Sequence, residues 1–392
     1  MSIPNKILHI STYYSRSKLY KEMILNIGKS GIEQIIYTPI RTSSDSGINL
    51  IQGANYSFTY DYILNKLDKV FYYHKIHKIC KSLESRIDLS NIDICHAHTL
   101  FNDGGVALEL KRKYDIPYIV AVRNTDLYTY FKYLLHLRSR GIEILKNASR
   151  VIFINKDYQR ILEEKYLTQK VYSQLDFEII PNGINDYWFE NKGKPKFYKN
   201  KQKLSILYVG SFMKNKNVHL LIASIMKYAD SHKHCDITLD IIGGGGRAGK
   251  GQGDIKVLKK LKESRKNDNL TLNFHGRIDN LDTLKNYYRK ADVFALISKK
   301  ETFGLVFIEA LSQGTPIIFT KGQGVSSFFE RETVGSGISE FNVKDFNQKL
   351  KYVLDNYNSM SKNAISEIDQ FRWENISQKY LSIYDDTINE KK

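Results

Sequence analysis

The sequence has few cysteines and no long apolar run. Its 3 cysteines, Cys80, Cys95 and Cys235, are odd in number and widely spaced, which excludes a disulfide framework and indicates a reducing compartment. Apolar runs such as residues 118–122 and 315–319 are far shorter than the roughly 20 residues of a membrane span. Because the first ten residues contain no apolar core of signal-peptide length, we expect a cytoplasmic protein.

Acidic residues are too few to balance the basic ones, and the formal net charge is +17. Residues 1–200 carry 29 basic and 20 acidic side chains (+9), and residues 201–392 carry 30 and 22 (+8), so no basic tail stands apart. The excess either solvates helix faces or serves an anionic membrane surface or substrate phosphates. Nucleic acid is not expected as a partner, because zinc-knuckle, helix-turn-helix and ribonucleoprotein patterns are missing.

Short β-branched runs alternate with amphipathic stretches along the whole chain, which predicts parallel α/β units. The length of 392 residues favours two domains. We predict an N-terminal Rossmann-like domain over 1–182, a polar, lysine-rich linker over 183–203, a second Rossmann-like domain over 204–370, and a terminal helix over 371–392 that returns toward the first domain. Doubly wound sheets bind ligands at the carboxyl ends of their strands, so we expect the chemistry in strand-to-helix loops.

The stretch LDIIGGGGRAGKGQGD, residues 239–254, invites a phosphate-loop interpretation. Gly244, Gly249 and Lys250 fit the first positions of that motif, but Gly251 stands where a magnesium-binding Ser or Thr is required. The loop also follows the second strand of its half rather than the first. A triphosphatase is therefore disfavoured, and the loop either is a surface connection or lets backbone amides approach a phosphate or sugar.

The most informative segment is ADVFALISKKETFGLVFIEALSQGTPIIFTKGQGVSSFF, residues 291–329. It predicts a strand, a loop carrying Glu301, and a helix that opens at Phe303, Gly304 and Leu305 and carries Glu309 one turn in. Free amides at the start of that helix are suited to binding a phosphate. Two glutamates on either side of a helix start are a candidate ligand site.

These residues resemble the donor site of retaining glycosyltransferases of the GT4 type. Four further stretches agree in order, LYVGSFMKNKNVHLLIASI (207–225), LDIIGGGG (239–246), LTLNFHGRID (270–279) and FRWENISQKYLSIYD (371–385), and IIPNGIN (179–185) is similar to the interdomain turn. The resemblance implies the GT-B fold, in which two Rossmann-like doubly wound domains face each other across a cleft. It also implies a nucleotide-diphosphate sugar, UDP- or GDP-linked, as substrate and no other cofactor.

The resemblance carries roles to particular residues. Glu301 would be a catalytic residue that contacts the donor sugar and stabilises rather than attacks it. Glu309 would hold the ribose hydroxyls, and Lys216 with the amides of residues 303–305 would bind the diphosphate. Lys216 could instead be a solvated lysine at a helix start, and Glu309 an ordinary helix acid. The remaining donor-side positions are Gly210, Ser211, Gly244, Arg247, Arg277 and Ile278. No metal is expected, because the sequence lacks the Asp-x-Asp pattern that bridges a hard cation to phosphates.

Two departures from the family pattern concern charged positions. Ser211 follows Gly210 where relatives usually have an arginine, so one diphosphate cation is missing, and Arg247 or Lys250 is a candidate replacement. In AVRNTD, Arg123 stands where the family often has a histidine. An arginine does not carry protons near neutral pH, so Arg123 either orients a substrate oxygen or is a strand-end arginine paired with Asp126.

The first half offers weaker signals. His96 and His98 would point to one face of a strand, and His98 either lines the cleft as a catalytic residue or is structural. Zinc is not expected, because no further ligand is evident at metal spacing. The segment LYTYFKYLLHLRSRGIEIL, residues 127–145, is either a helix with its apolar side packed inward or one that rests on a membrane surface.

The expected activity is transfer of a hexose or acetamidohexose from UDP or GDP to an acceptor hydroxyl, with retention and without metal. The acceptor would be a lipid-linked or surface polysaccharide glycan, and the enzyme would be cytoplasmic or peripheral on the inner membrane face. The alternatives are a sugar-nucleotide epimerase on the same fold and an inactive glycan-binding or accessory subunit.

Overall fold

A computed structural model describes residues 4–198, 202–245 and 268–390. The chain divides into two compact units, Met1–Gly183 with Trp373–Lys392, and Ile184–Arg372. The second unit therefore includes the predicted linker apart from its first residue, Gly183, and the first unit includes the C-terminal helix. None of the described helices is both long enough and apolar enough to cross a membrane.

The first unit is built on a seven-stranded parallel sheet in the order β3-β2-β1-β4-β5-β6-β7. Its strands are β1 Lys6–Ile10, β2 Glu33–Ile40, β3 Tyr56–Tyr62, β4 Ile94–Ala97, β5 Tyr118–Val122, β6 Arg150–Phe153 and β7 Phe177–Ile179. The helices are α1 Lys18–Gly28, α2 Tyr72–Arg86, α3 Asn102–Tyr114, α4 Arg138–Asn147, α5 Lys156–Tyr166, α6 Gln169–Tyr172 and the C-terminal α13 Trp373–Asn389. The order of strands reverses between β1 and β4, which places a crevice at their carboxyl ends.

The second unit is a six-stranded parallel sheet in the order β10-β9-β8-β11-β12-β13. Its strands are β8 Lys203–Val209, β9 Asp236–Ile242, β10 Leu270–Gly276, β11 Val293–Ala295, β12 Ile317–Thr320 and β13 Gly335–Ile338. Its described helices are α7 Tyr187–Glu190, α8 Val218–Ser231, α9 Leu281–Lys290, α10 Leu305–Ser312, α11 Val343–Asp355 and α12 Tyr357–Glu367. Its order reverses between β8 and β11, so each unit is doubly wound as the sequence pattern predicts.

Two strands were not expected from the sequence, and one expected helix is broken. β3 is an edge strand whose side chains are mostly partly exposed, and β13 has the sequence GSGI, which lacks the β-branched run of a buried strand. Residues 127–145 do not form one helix. They comprise a π-helical turn Asp126–Phe131, a 3-10 turn Leu135–Leu137 and the start of α4. The sequence pattern also predicts a helix from Asp254, after the glycine loop, and these residues lie outside the described ranges.

Helix α13 is part of the core of the first unit. Trp373, Ile376 and Tyr380 are buried against a cluster that includes Ile7 of β1 and Ile24 of α1. The approach is close, because a Cβ added at Gly183 would lie 2.5 Å from the Trp373 ring. The apolar face of α13 thus closes one side of the first sheet.

Replacing Trp373 with Ala should lower the free energy of unfolding by about 3–5 kcal/mol, because it empties a fully packed aromatic site. Urea or guanidinium denaturation followed by circular dichroism measures the change. The control is Lys379→Ala, an exposed position on the same helix, which should change stability by less than about 0.5 kcal/mol. Similar losses in both variants would contradict the packing role.

Candidate active site

The candidate donor residues follow three neighbouring strands of the second sheet. Gly210 and Ser211 come after β8, Gly244 comes after β9, and Glu301 comes after β11. Since β9, β8 and β11 are adjacent and parallel, these loops meet at one carboxyl edge, beside the point where the strand order reverses. The fold therefore brings together residues that lie up to 91 positions apart in the chain.

Glycines allow two of these loops to touch. Gly243 has φ +138°, and a Cβ at this position would lie 1.8 Å from the carbonyl oxygen of Gly210. The loops are joined by backbone hydrogen bonds from Gly210 N to Ile242 O at 3.0 Å and from Phe212 N to Gly244 O at 2.9 Å. The first glycines of the loop thus have a packing role, while Arg247, Gly249 and Lys250 lie outside the described residues.

Lys216 and Glu301 form an ion pair. Nζ of Lys216 lies 2.7 Å from Oε2 of Glu301, and their side chains are 20% and 12% exposed. Ser298 also donates to Oε2 at 3.3 Å, and Glu301 N donates to Gln323 Oε1 at 3.2 Å. The lysine is therefore not a fully solvated side chain. Lys216 and Glu301 can therefore contact the same ligand. The lysine would bind a negatively charged group of that ligand, and the carboxylate would accept hydrogen bonds from its hydroxyls.

Helix α10 begins beside this ion pair. Gly304 precedes it with φ +83°, and a Cβ there would lie 2.6 Å from the Phe307 ring and 3.2 Å from Cγ of Glu301. Phe303 is buried and Leu305 is the first helical residue. The first amides of a helix have no carbonyl one turn earlier and carry a partial positive charge. The helix start can therefore bind an anion next to Lys216.

Glu309 lies one turn into α10 and is hydrogen bonded to Tyr288, whose hydroxyl donates to Oε2 at 3.0 Å. The Glu309 side chain keeps a partly exposed surface, but surrounding protein atoms desolvate the carboxyl and raise its pKa to about 7. The hydrogen bond from Tyr288 acts in the opposite direction. The sequence analysis missed Tyr288, whose position in α9 carries no motif.

The loop after β10 holds two further predicted residues on the same sheet edge. Arg277 is exposed and pairs with Asp279 at 2.8 Å, and Ile278 is half-buried. Their strand is separated from β8 by β9. In this structure the Arg277 guanidinium is engaged with its neighbour rather than with the Lys216 and Glu301 pair.

In the first unit, Arg123 and Asp126 are linked through the backbone. The carboxylate of Asp126 accepts hydrogen bonds from the backbone N–H groups of Arg123, Leu100 and Phe101 at 2.8, 3.1 and 3.2 Å. Burial raises the pKa of Asp126 to about 6. The Arg123 guanidinium instead donates from Nε to the carbonyl of His98 at 3.2 Å. The alternative of a guanidinium paired with Asp126 is therefore replaced by a backbone cap.

His98 has no exposed surface, so its imidazole offers nothing to a substrate here and matches the structural alternative. It stacks on His96, with ring centroids 4.2 Å apart, and its Nε2 lies 3.1 Å from Nδ1 of His9. His9, which the sequence analysis missed, completes a cluster whose ligand atoms lie within 4.8 Å of one another, so the premise that no third ligand exists was wrong. The His98 ring is stacked on both of the others, at 22° to His9 and 19° to His96. Stacked rings do not direct their in-plane lone pairs at one point, so this arrangement does not suit a metal.

Two family models match the chain in succession. The model described as Glycosyltransferase Family 4 matches residues 29–187, and the model described as Glycosyl transferases group 1 matches residues 189–368. The chain belongs to the group 1 glycosyltransferases. The first model corresponds to the first unit and the second to the unit that carries Lys216, Glu301 and Glu309.

Two curated proteins align with this glycosyltransferase over similar shares of both sequences. An uncharacterized glycosyltransferase of Methanocaldococcus jannaschii is 24% identical over 82% of this chain and 83% of its own length. The alpha-monoglucosyldiacylglycerol synthase of Acholeplasma laidlawii is 28% identical over 61% of each chain.

Solved structures support the fold. A sucrose-phosphate synthase from Thermosynechococcus elongatus aligns with a TM-score of 0.73 at 18% identity, over 97% of this chain and 98% of that one. An Anabaena protein in complex with UDP aligns with a TM-score of 0.71 at 14% identity, over 97% and 100%. At these identities the likeness shows the GT-B fold and nothing finer.

The histidine cluster predicts a loss of stability in acid. Burial lowers the pKa of His9 to about 3 and holds the pKa values of His96 and His98 well below the ordinary 6.5. Neighbouring imidazoles and Arg123 add to the lowering for His98, and the other facing groups are Gln34, Tyr20, Tyr380 and Tyr384. Below pH 6.5 the unfolded chain binds protons that the folded chain does not, so stability falls as pH falls.

From pH 7.5 to 5.5, each such histidine should account for about 1.4 kcal/mol of lost stability. His98→Asn should therefore reduce the pH-dependent loss by about that amount in denaturant titrations at the two pH values, whatever its effect at pH 7.5 alone. His77→Asn, an exposed histidine on α2, is the matched control and should leave the loss unchanged. An unchanged loss in His98→Asn would contradict the assignment.

Proposed function

We propose that this glycosyltransferase is a retaining, metal-independent enzyme that moves a hexose or acetamidohexose from a UDP- or GDP-linked donor to a hydroxyl of a lipid-linked or surface polysaccharide glycan. The observation that carries the proposal is the Lys216 and Glu301 ion pair beside the start of α10. A nucleoside diphosphate leaving group gains negative charge as the glycosidic bond breaks. A lysine and helix amides stabilise that charge more in the transition state than in the ground state.

Each side chain has a separate role in this proposal. Lys216 and the first amides of α10 bind the diphosphate, Glu309 accepts hydrogen bonds from the ribose hydroxyls, and Glu301 contacts the sugar. No side chain on this sheet edge is assigned as a nucleophile, so the leaving phosphate would accept the acceptor proton on the face from which it departs. Support for a UDP donor comes from the Anabaena neighbour, whose structure contains UDP.

The two glutamates give a contrast that tests the roles. Glu309→Ala should weaken UDP or GDP binding by about tenfold or more, because a charge-assisted hydrogen bond contributes about 1.5–3 kcal/mol. Glu301→Ala should abolish transfer and leave nucleotide affinity within a few-fold. Calorimetry measures binding, and nucleotide release with a donor sugar and a membrane glycan extract measures transfer.

Glu340→Ala serves as the control, since Glu340 is an exposed glutamate of the same unit. Full transfer by Glu301→Ala, or unaltered nucleotide affinity in Glu309→Ala, would refute the corresponding role. If the protein isomerised a nucleotide sugar in the absence of an acceptor, the activity would be that of an epimerase and the transferase proposal would be wrong.

The proposed membrane location is supported by a basic apolar surface on the first unit. We define this surface by six exposed apolar or aromatic side chains and three exposed lysines: Leu67, Val70, Phe71, Tyr73, Tyr133 and Leu135, with Lys66, Lys69 and Lys132. The surface comprises two chain segments, residues 66–73 and residues 132–135. The first lies next to the second, because residues 68–72 and residues 134–137 line the same cavity of about 170 Å³. The acid within these segments, Asp68, is buried.

Large exposed apolar side chains among lysines match the headgroup region of an anionic bilayer. The apolar residues of this surface lie on turns and at the start of α2. Contact with a membrane therefore does not require one amphipathic helix over residues 127–145. The Acholeplasma relative is named for the glycolipid that it makes, monoglucosyldiacylglycerol, and this name agrees with a lipid acceptor.

Replacing Phe71 and Leu135 together with Ser should weaken binding to vesicles that contain anionic phospholipid by about tenfold, because two large apolar groups no longer enter the interface. Co-sedimentation with vesicles of phosphatidylcholine and phosphatidylglycerol measures the change. Tyr352→Ser, which removes an exposed aromatic from the second unit, is the control and should bind as the parent does. Equal vesicle binding by the double variant would rule out this surface.

A further inference from the structure

Lys75 is a buried lysine without a carboxylate partner. It lies on α2 and is 4% exposed. Its ammonium donates to Oδ1 of Asn102 and lies 3.5 Å from the hydroxyl of Tyr130. Among the described residues it forms no ion pair, and burial lowers its pKa to about 8. Because burying an unpaired charge is costly, a lysine in this position suggests a ligand that supplies the missing negative charge.

Arg41 is a second cation near Lys75. It directly follows β2, and its Nε atom is buried and has no hydrogen-bond partner. Within the described part of the chain Arg41 also forms no ion pair. The two cations are close enough for Arg41 to lower the pKa of Lys75. Like charges held together at one edge of a sheet are typical of an anion site.

Both cations line one small cavity. Its volume is about 50 Å³, and its walls include the first loop of the unit, with Thr12 and Arg16, together with Arg41, Lys75 and Asn102. A cavity needs about 10–15 Å³ for one water molecule, so this one has room for a group of a few heavy atoms but not for a pyranose ring.

Nearby carboxylates are committed to other partners. Asp45 also lines the cavity and lies 3.8 Å from Arg16. Asp103 accepts hydrogen bonds from Thr12 N at 3.0 Å and from Thr99 Oγ1 at 2.9 Å. These contacts leave Lys75 and Arg41 as positive groups for a ligand.

We propose that this cavity binds a phosphoryl group carried by the acceptor, with Lys75 and Arg41 as its counter-ions. The proposal deepens the proposed function. Only the assignment of the phosphoryl group to the acceptor rests on that function. Asp45 also lines the cavity, but neither Lys75 nor Arg41 forms an ion pair with it. The two cations together match the charge of a phosphate monoester, and arginine offers a bidentate fork for its oxygens. Lys75 also lines the 170 Å³ cavity at the basic apolar surface, so the phosphate of a membrane lipid and that of a soluble sugar phosphate are both within the same chemistry.

The test measures binding of glycerol 3-phosphate to the full chain by calorimetry at constant ionic strength, and co-sedimentation with phosphatidylcholine vesicles that contain phosphatidic acid. Lys75→Met and Arg41→Gln should each weaken the phosphate-dependent binding by about tenfold, the usual effect of losing one charge-assisted hydrogen bond. Arg41→Gln, at a half-exposed position, keeps the test valid if Lys75→Met fails to fold. The matched control is Lys81→Met, an exposed lysine on the same helix, which removes the same charge.

Two results identify the source of the phosphate. Variant-sensitive binding of glycerol 3-phosphate supports a soluble acceptor, and variant-sensitive binding of phosphatidic acid vesicles alone supports a lipid acceptor. Two results would overturn the inference. The first is that Lys81→Met weakens binding as much as the cavity variants do. The second is that acetate displaces the phosphate probe as effectively as a phosphate compound does. UDP affinity, measured in parallel, should be unchanged in both cavity variants. If UDP fails to bind while the phosphate response remains, the donor proposal falls and the anion site stands.

Discussion

Parallel pairing is the constraint on which the rest of the structure depends. Every strand pair in both sheets is parallel, so the carboxyl ends of all strands in a unit lie at one edge. A doubly wound order then leaves a crevice at that edge, between β1 and β4 in the first unit and between β8 and β11 in the second. Lys216, Glu301 and the start of α10 occupy that position in the second unit, as Thr12 and Arg41 do at the edge of the first.

The sheet edges of the two units differ in whether their cations are paired with an acid. In the second unit the cation and the acid neutralise each other across 2.7 Å, and the helix amides lie beside them. In the first unit Lys75 and Arg41 lie together, and the nearby acids Asp103 and Asp126 accept hydrogen bonds from other groups. At the paired site a bound anion would replace Glu301 as the partner of Lys216. At the unpaired site a bound anion would supply a negative partner that Lys75 and Arg41 lack. Both arrangements suit anionic ligands, but they do so through different electrostatic costs.

Much of the fold and part of the site could be predicted from particular residues. Of the thirteen strands that the described residues form, eleven follow from apolar β-branched runs such as residues 118–122, which need only local pattern. β3 and β13 could not be found in this way, because an edge strand tolerates polar residues and GSGI depends on its neighbours for burial. Glu301, Glu309 and Lys216 could be singled out as candidates because they lie near a helix start or in a family motif. Tyr288, His9, Lys75 and Arg41 carry no motif, since their environment comes from other segments.

By itself, then, the amino-acid sequence determined the alternation of strands and helices, the two halves of the chain, the family, and the identities of the acids around α10. These are encoded by spacing within a few turns of chain, where periodicity and capping act locally. Tertiary structure alone decided that Lys216 pairs with Glu301, that three buried histidines form one cluster, and that Lys75 and Arg41 share one cavity. Such facts depend on side chains that are distant in sequence and on the desolvation that packing imposes, and a linear pattern contains neither.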